Sequence, residues 1–144
     1  YNPKLKSYEK INNAIINAFR TVPYWKKEKA TAEYQLVWYN GAAETIIEIA
    51  KTDGSFEKLG TYHGYNVTDS TIKKVSNILL QDGVPLLRVK SYLHESWWGP
   101  YLSTDSRFFS IISNLDGTLT YLMSDAYSPN SFDDAEFQIT LSVE

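Results

Sequence analysis

A Gly99-Pro100 step lies inside Tyr92–Leu102, which reads YLHESWWGPYL, and it sets the tightest limit on how this chain can fold. Proline fixes its own φ and has no N–H to give a sheet ladder, so a regular central strand cannot run through it. The same stretch holds two of the four tryptophans and one of the two histidines. Aromatic side chains are therefore concentrated where the backbone has to deviate.

At 144 residues the chain is expected to form a single domain over 1–144, large enough for one core. Hydrophobic residues at 43% and charged residues at 22% are globular values and argue against disorder. An aromatic share of 15% implies rings in a core, a pocket or a surface patch. A net charge of -3 speaks against coating a duplex, which takes clustered Lys and Arg, so no direct nucleic-acid partner is expected. The chain has no cysteine, which excludes disulfides, thiolate-bound zinc and thiol catalysis. No apolar run approaches the roughly 18 residues of a membrane span. A cytoplasmic location is the expectation, with an extracytoplasmic one left open because the chain starts at Tyr1 rather than Met. The sequon Asn66-Val67-Thr68 would matter only in a secreted eukaryotic protein.

In residues 5–22, Leu5, Tyr8, Ile11, Ile15, Phe19 and Val22 recur at spacings of three and four, and Pro23 follows. This predicts an amphipathic N-terminal helix packed on a sheet. TAEYQLVWYN, residues 31–40, is β-prone and ends at Asn40-Gly41. That pair reads two ways. As a hairpin turn it makes Ala42–Lys51 a return strand, with Asp53-Gly54, Asp82-Gly83 and Asp116-Gly117 as further turns of an antiparallel meander. As a helix cap it makes AAETIIEIAK a helix with Ala43, Ile46, Ile47 and Ala50 on one face.

A repeat tilts the reading toward the helix. Each half, 31–80 and 84–143, shows a strand, a break at Gly41 or Gly99-Pro100, an apolar segment, an Asp-Gly pair and two strands. Ser103–Asn114 is the matching segment in the second half, where Phe108, Ile111, Ile112 and Leu115 fit a helix but RFFSIIS also fits a strand. The expected class is α+β: a mainly antiparallel sheet with the N-terminal helix and two strand-helix-strand-strand units. The alternative is an all-β meander or sandwich with one N-terminal helix.

Gly99-Pro100-Tyr101, and the ending MSDAYSPNSFDDAEFQITLSV with its Pro-containing loop, resemble the gyrase-inhibitor-like, effector-binding domains. The resemblance covers about residues 30–144 and implies two strand-helix-strand-strand units facing each other across a cleft. It also implies binding of small, often apolar or cationic molecules. Many members place a buried Glu on the strand after the second helix. That position falls near Thr120 here, so cation recognition is not implied.

Trp97, Trp98 and Tyr101 offer broad apolar faces with polar edges, suited to stacking on a flat ligand. Neighbouring strand residues point to opposite faces, so Trp97 and Trp98 cannot both be core on one strand. With Trp38, Tyr62 and Tyr121 they are the expected lining of a cleft for a small apolar or aromatic ligand. His63, His94 with Glu95, and Glu44 with Glu48 are weak candidates for acid–base work, and Asp125, Asp133 and Asp134 lack calcium-loop spacing. No metal, no cofactor and no catalysis is expected. The competing function is an all-β interaction module, lectin-like, membrane-interface or toxin-partner in type, that presents SWWGPY as an exposed aromatic loop to a membrane or protein partner.

Overall fold

The computed structural model describes residues 30–124 and 129–143. Ten strands follow one another: β1 (Ala30–Ala50), β2 (Phe56–Val67), β3 (Lys73–Ser76), β4 (Leu80–Gln81), β5 (Val84–Pro85), β6 (Leu87–Leu93), β7 (Ser96–Leu102), β8 (Phe109–Ser113), β9 (Thr118–Met123) and β10 (Ala135–Val143). None of the described residues is helical. The α+β expectation is therefore corrected to all-β. Ala42–Ala50 is the second half of β1, and Ser103–Asn114 is a turn followed by β8. The helix expected over 5–22 lies outside the described residues. Ala30–Ser142 form one unit.

The sheet is organised by β1, which runs through Asn40-Gly41 without turning. Its buried side includes Ala30, Ala32, Tyr34 and Leu36, then Tyr39, Ala43, Ile47 and Ile49. The inward set thus switches from even to odd positions at Val37 and Trp38, and the register against β2 shifts on either side of Gly41. Extra residues of this kind bend and twist a strand. Here the bend is large. Ala30 O accepts from Ile78 N–H at 3.2 Å and Ala50 O accepts from Leu79 N–H at 2.9 Å. A straight strand from Ala30 to Ala50 would span about 66 Å, yet its two ends meet neighbouring residues of one short segment.

Because it is curled, β1 serves two groups of strands. Thr45 lies opposite Tyr62 of β2 on one side and Ser91 of β6 on the other. Nearer its start, Thr31–Tyr34 pair with β3, and Asn40 N–H donates to Asp134 O at 2.8 Å beside β10. The order β7-β6-β1-β10-β9-β8, with β2 and β3 also paired to β1, makes an antiparallel half-barrel. Its concave side is filled by Ile47, Ile49, Leu87, Val89, Phe137 and Ile139, all fully buried. Each such side chain contributes about 1.5–3 kcal/mol by leaving water. The ring of Tyr121 stacks on Phe137 at 5.0 Å, and Tyr34 meets Phe137 at 5.3 Å.

β7 and β8 are the two ends of this strand path and do not pair with each other. The chain crosses the open seam between them through residues 103–108. Tyr101 closes its inner part, with its ring 4.3 Å from Phe108 and 6.1 Å from Phe109, and its hydroxyl donates to Ser124 O at 3.2 Å. The short β4–β5 hairpin is tied to β9 by Tyr121 Oη, which donates to Pro85 O at 3.0 Å. Ser103 anchors the crossing to β6: its N–H donates to Leu87 O, and its hydroxyl accepts from Leu87 N–H, both at 2.9 Å.

Candidate functional site

YLHESWWGPYL forms a β-hairpin. Leu93 faces Ser96, so His94 and Glu95 are the two turn residues, with φ of 52° and 63°. Two-residue hairpin turns of this hand fit the twist of the flanking strands and need positive φ at both positions. The Gly99-Pro100 peptide is cis and lies in a bulge between the pairs Ser91–Trp98 and Val89–Tyr101. An edge strand tolerates proline because one row of its N–H groups has no ladder to serve. Gly99 has φ of 96°, and a Cβ there would lie 2.9 Å from Val89 O. Only glycine fits that approach.

Trp98 and Tyr101 stand opposite Ser91 and Val89, which are inward residues of β6. Trp97 stands opposite Tyr92 and faces outward, 55% exposed. Along the seam runs an open groove of about 540 Å³, lined among others by Trp98, Pro100, Tyr101, Thr104, Arg107 and Phe108. A smaller hollow of about 190 Å³ adjoins it through Thr104 and is bordered by Gln81, Val84, Pro85 and Ile111.

The polar groups at the rim hold one another. Arg107 Nε and Nη2 donate to the two Asp105 carboxylate oxygens at 3.0 and 2.8 Å, and Arg107 N–H donates to the same carboxylate at 3.0 Å. These hydrogen bonds lower the Asp105 pKa and raise that of Arg107. The guanidinium also lies 5.2 Å from the Phe108 ring centre. An exposed pair of this kind adds little to stability. Its effect is positional, because it fixes Arg107 at the mouth of an aromatic groove.

Of the six residues expected to line a cleft, Trp98 and Tyr101 share the groove. Tyr62 and Tyr121 are core side chains, 7% and 0% exposed. The Tyr62 hydroxyl is 2.6 Å from that of Tyr34. Trp38 is half-buried at the phase change of β1. Trp97 belongs to the outer face, where its ring is 5.0 Å from Tyr92 and 5.7 Å from Lys90 Nζ. The six do not line one common cleft. Thr104, Arg107 and Phe108 also line the groove, and their one mark in the sequence is the Asp105-Ser106-Arg107 spacing, typical of a side-chain-capped turn.

The weak acid–base candidates are dispersed. His63 is exposed on β2, while His94 and Glu95 are exposed at the hairpin turn. Glu44 is exposed, and Glu48 accepts from Arg88 Nε at 3.0 Å. Asp125 lies outside the described residues. Among the described residues no three His, Asp or Glu side chains are grouped as a metal site would need.

No protein-family model matches the chain, and no curated protein matches its sequence. The resemblance to the gyrase-inhibitor-like domains thus rests on Gly99-Pro100-Tyr101 and the closing residues alone. Where helices were expected at 42–51 and 103–114, the structure has strand or turn.

Proposed function

We propose that this chain is a non-enzymatic binding module that takes a small apolar or aromatic ligand in the seam groove. The observation that carries the reading is the convergence of Trp98, Pro100, Tyr101 and Phe108 on one open channel between β7 and the 103–108 crossing. Sites for small molecules join apolar and aromatic walls with a few placed polar groups. Here the Thr104 hydroxyl and the Asp105–Arg107 pair supply the polar part. A saturation-transfer NMR screen of aromatic and aliphatic fragments tests this. Hits should lose their signal in Trp98→Ala and in Phe108→Ala, and hits that persist in both variants would overturn the reading.

A second reading rests on Trp97. A tryptophan 55% exposed beside Tyr92 and Lys90 suits an interaction module that works through the outer face of the β6–β7 hairpin, since aromatic rings with a nearby cation are favoured contact residues. Its mark would be binding to glycan arrays or liposomes that Trp97→Ala removes and Trp98→Ala leaves intact.

A further inference from the structure

An unpaired strand edge is a template for another chain, and proteins blunt such edges with lysine, proline, bulges or cover. Among the described residues, three free edges of this sheet carry such devices. β2 has Lys58 and an irregular register with β1. β3 has Lys73 and Lys74. β7 has the Gly99-Pro100 bulge. β8 has none of them: Phe109–Ser113 reads FSIIS, its register with β9 is unbroken, and no ionisable residue or proline occurs from Phe108 to Leu115.

The hydrogen bonds show which backbone groups of β8 face outward. Ser124 N–H donates to Phe108 O and Asn114 N–H donates to Thr118 O, so in an antiparallel ladder the even-numbered residues of β8 serve β9. Phe109 N–H turns the other way and donates to Asp105 O at 3.1 Å. The Phe109 carbonyl, and both backbone groups of Ile111 and Ser113, therefore form a contiguous outward row. Among the described residues nothing pairs with that row. Ile112 is 46% exposed beside it, and Leu115 is fully exposed at the hairpin tip.

We propose that β8 is the contact through which two copies of this chain join edge to edge, antiparallel, about Ile111. That alignment puts Ile111 opposite Ile111 and Phe109 opposite Ser113, so the outward backbone groups meet in register. The uncharged strand is flanked by Arg107 at its start and Asp116 shortly after its end. Parallel apposition would set Asp116 of one copy beside Asp116 of the other, whereas antiparallel apposition sets Asp116 by the start of the facing strand, where Asp105 and Arg107 are already paired with each other. The contact covers Ile112 and Leu115, and a two-fold arrangement consumes both edges, so association stops at the dimer.

Sedimentation velocity on the full chain, from about 5 to about 500 µM to span a small and therefore weak interface, tests the proposal. A concentration-dependent dimer is expected. Ile112→Lys and Ser113→Pro should each weaken it at least tenfold; the first adds an edge lysine, and the second removes an N–H that β9 does not use. A monomer throughout, or a dimer untouched by both variants, overturns it, as does a monomer that captures an extended peptide of another protein on this edge. A second readout needs no variant: amide exchange at Ile111 and Ser113 should slow as the wild-type chain is concentrated, and rates independent of concentration contradict the pairing.

Discussion

The Tyr39 ring lies over Gly41, so close that a Cβ on Gly41 would sit 2.6 Å from the Tyr39 hydroxyl and 2.9 Å from its Cζ. Laid along its own strand in this way, the hydroxyl donates to Ala43 O at 2.8 Å and meets Thr45 Oγ1 at 2.8 Å, and Thr45 Oγ1 is 3.1 Å from Ser91 Oγ. One aromatic ring thus pins the bend of β1 and ties it to β6. Gly60 plays the same part under Tyr62. Gly41→Ala should cost about 1–3 kcal/mol through overpacking. Chemical denaturation of a double-mutant cycle checks the cause, because the cost should shrink when Tyr39→Ala has already removed the ring.

Tyr34 and Tyr62 share a buried hydroxyl pair at 2.6 Å. Tyr34→Phe leaves the Tyr62 oxygen without that partner and should cost about 1–2 kcal/mol. The double Phe variant should cost less than the sum of the two single changes, because no buried hydroxyl is then stranded. Urea unfolding of the three variants measures this.

Burial raises the phenol pKa of Tyr34, Tyr62 and Tyr121 above the ordinary value of 10.0; Tyr34 is raised further by its neighbour Tyr62. A raised folded-state pKa means stability that is intact below pH 10 and falls as the pH climbs beyond it, since the unfolded chain releases those protons first. Absorbance at the tyrosinate band should therefore show a late group of tyrosines that ionises only together with loss of the folded circular-dichroism signal.

Arg88 joins three strands on the outer face. Its Nε donates to Glu48 Oε1 at 3.0 Å, and its guanidinium carbon lies 3.7 Å from the centre of the Phe56 ring. Arg88→Ala should cost about 1–2 kcal/mol, and Arg88→Lys should recover only part of it, because lysine offers neither the planar stack nor the fork. Thermal melts should rank the three proteins wild type, Lys, Ala. The looser contacts of Glu57 with Lys51 and Lys73, at 3.5 and 3.4 Å, should be worth less than about 1 kcal/mol.

Much of the sheet was legible in the sequence. Thr31–Asn40 reads as strand, and Asp53-Gly54, Asp82-Gly83 and Asp116-Gly117 do turn, because local chemistry decides such positions. Ala42–Lys51 leans to a helix in the sequence and is a strand in the structure because two periods overlap in it. A helix face would take Ala43, Ile46, Ile47 and Ala50, while the strand buries Ala43, Thr45, Ile47 and Ile49. What separates them is Thr45, a polar residue made inward-facing by Tyr39 and Ser91, the latter 46 residues away. Gly41 looked like a turn because its role, making room for Tyr39, is a tertiary contact. The His94-Glu95 turn carries no mark in the sequence, because it has none of the Asn-Gly, Asp-Gly or Gly-Gly pairs that signal a two-residue hairpin. Alternation did separate Trp97 from Trp98, one outward and one toward the groove, but the other wall of that groove comes from Phe108, across a seam that only the curl of β1 creates.

The seam as the recognition surface is tested most directly by the four tryptophan indole N–H signals in a two-dimensional NMR spectrum, assigned by single Trp→Phe variants and followed while the tightest fragment from the saturation-transfer screen is added. The expected result is a dose-dependent shift of the Trp98 signal with those of Trp38 and Trp97 nearly still. A shift of Trp97 with Trp98 unmoved would contradict the seam and place recognition on the outer face of the hairpin.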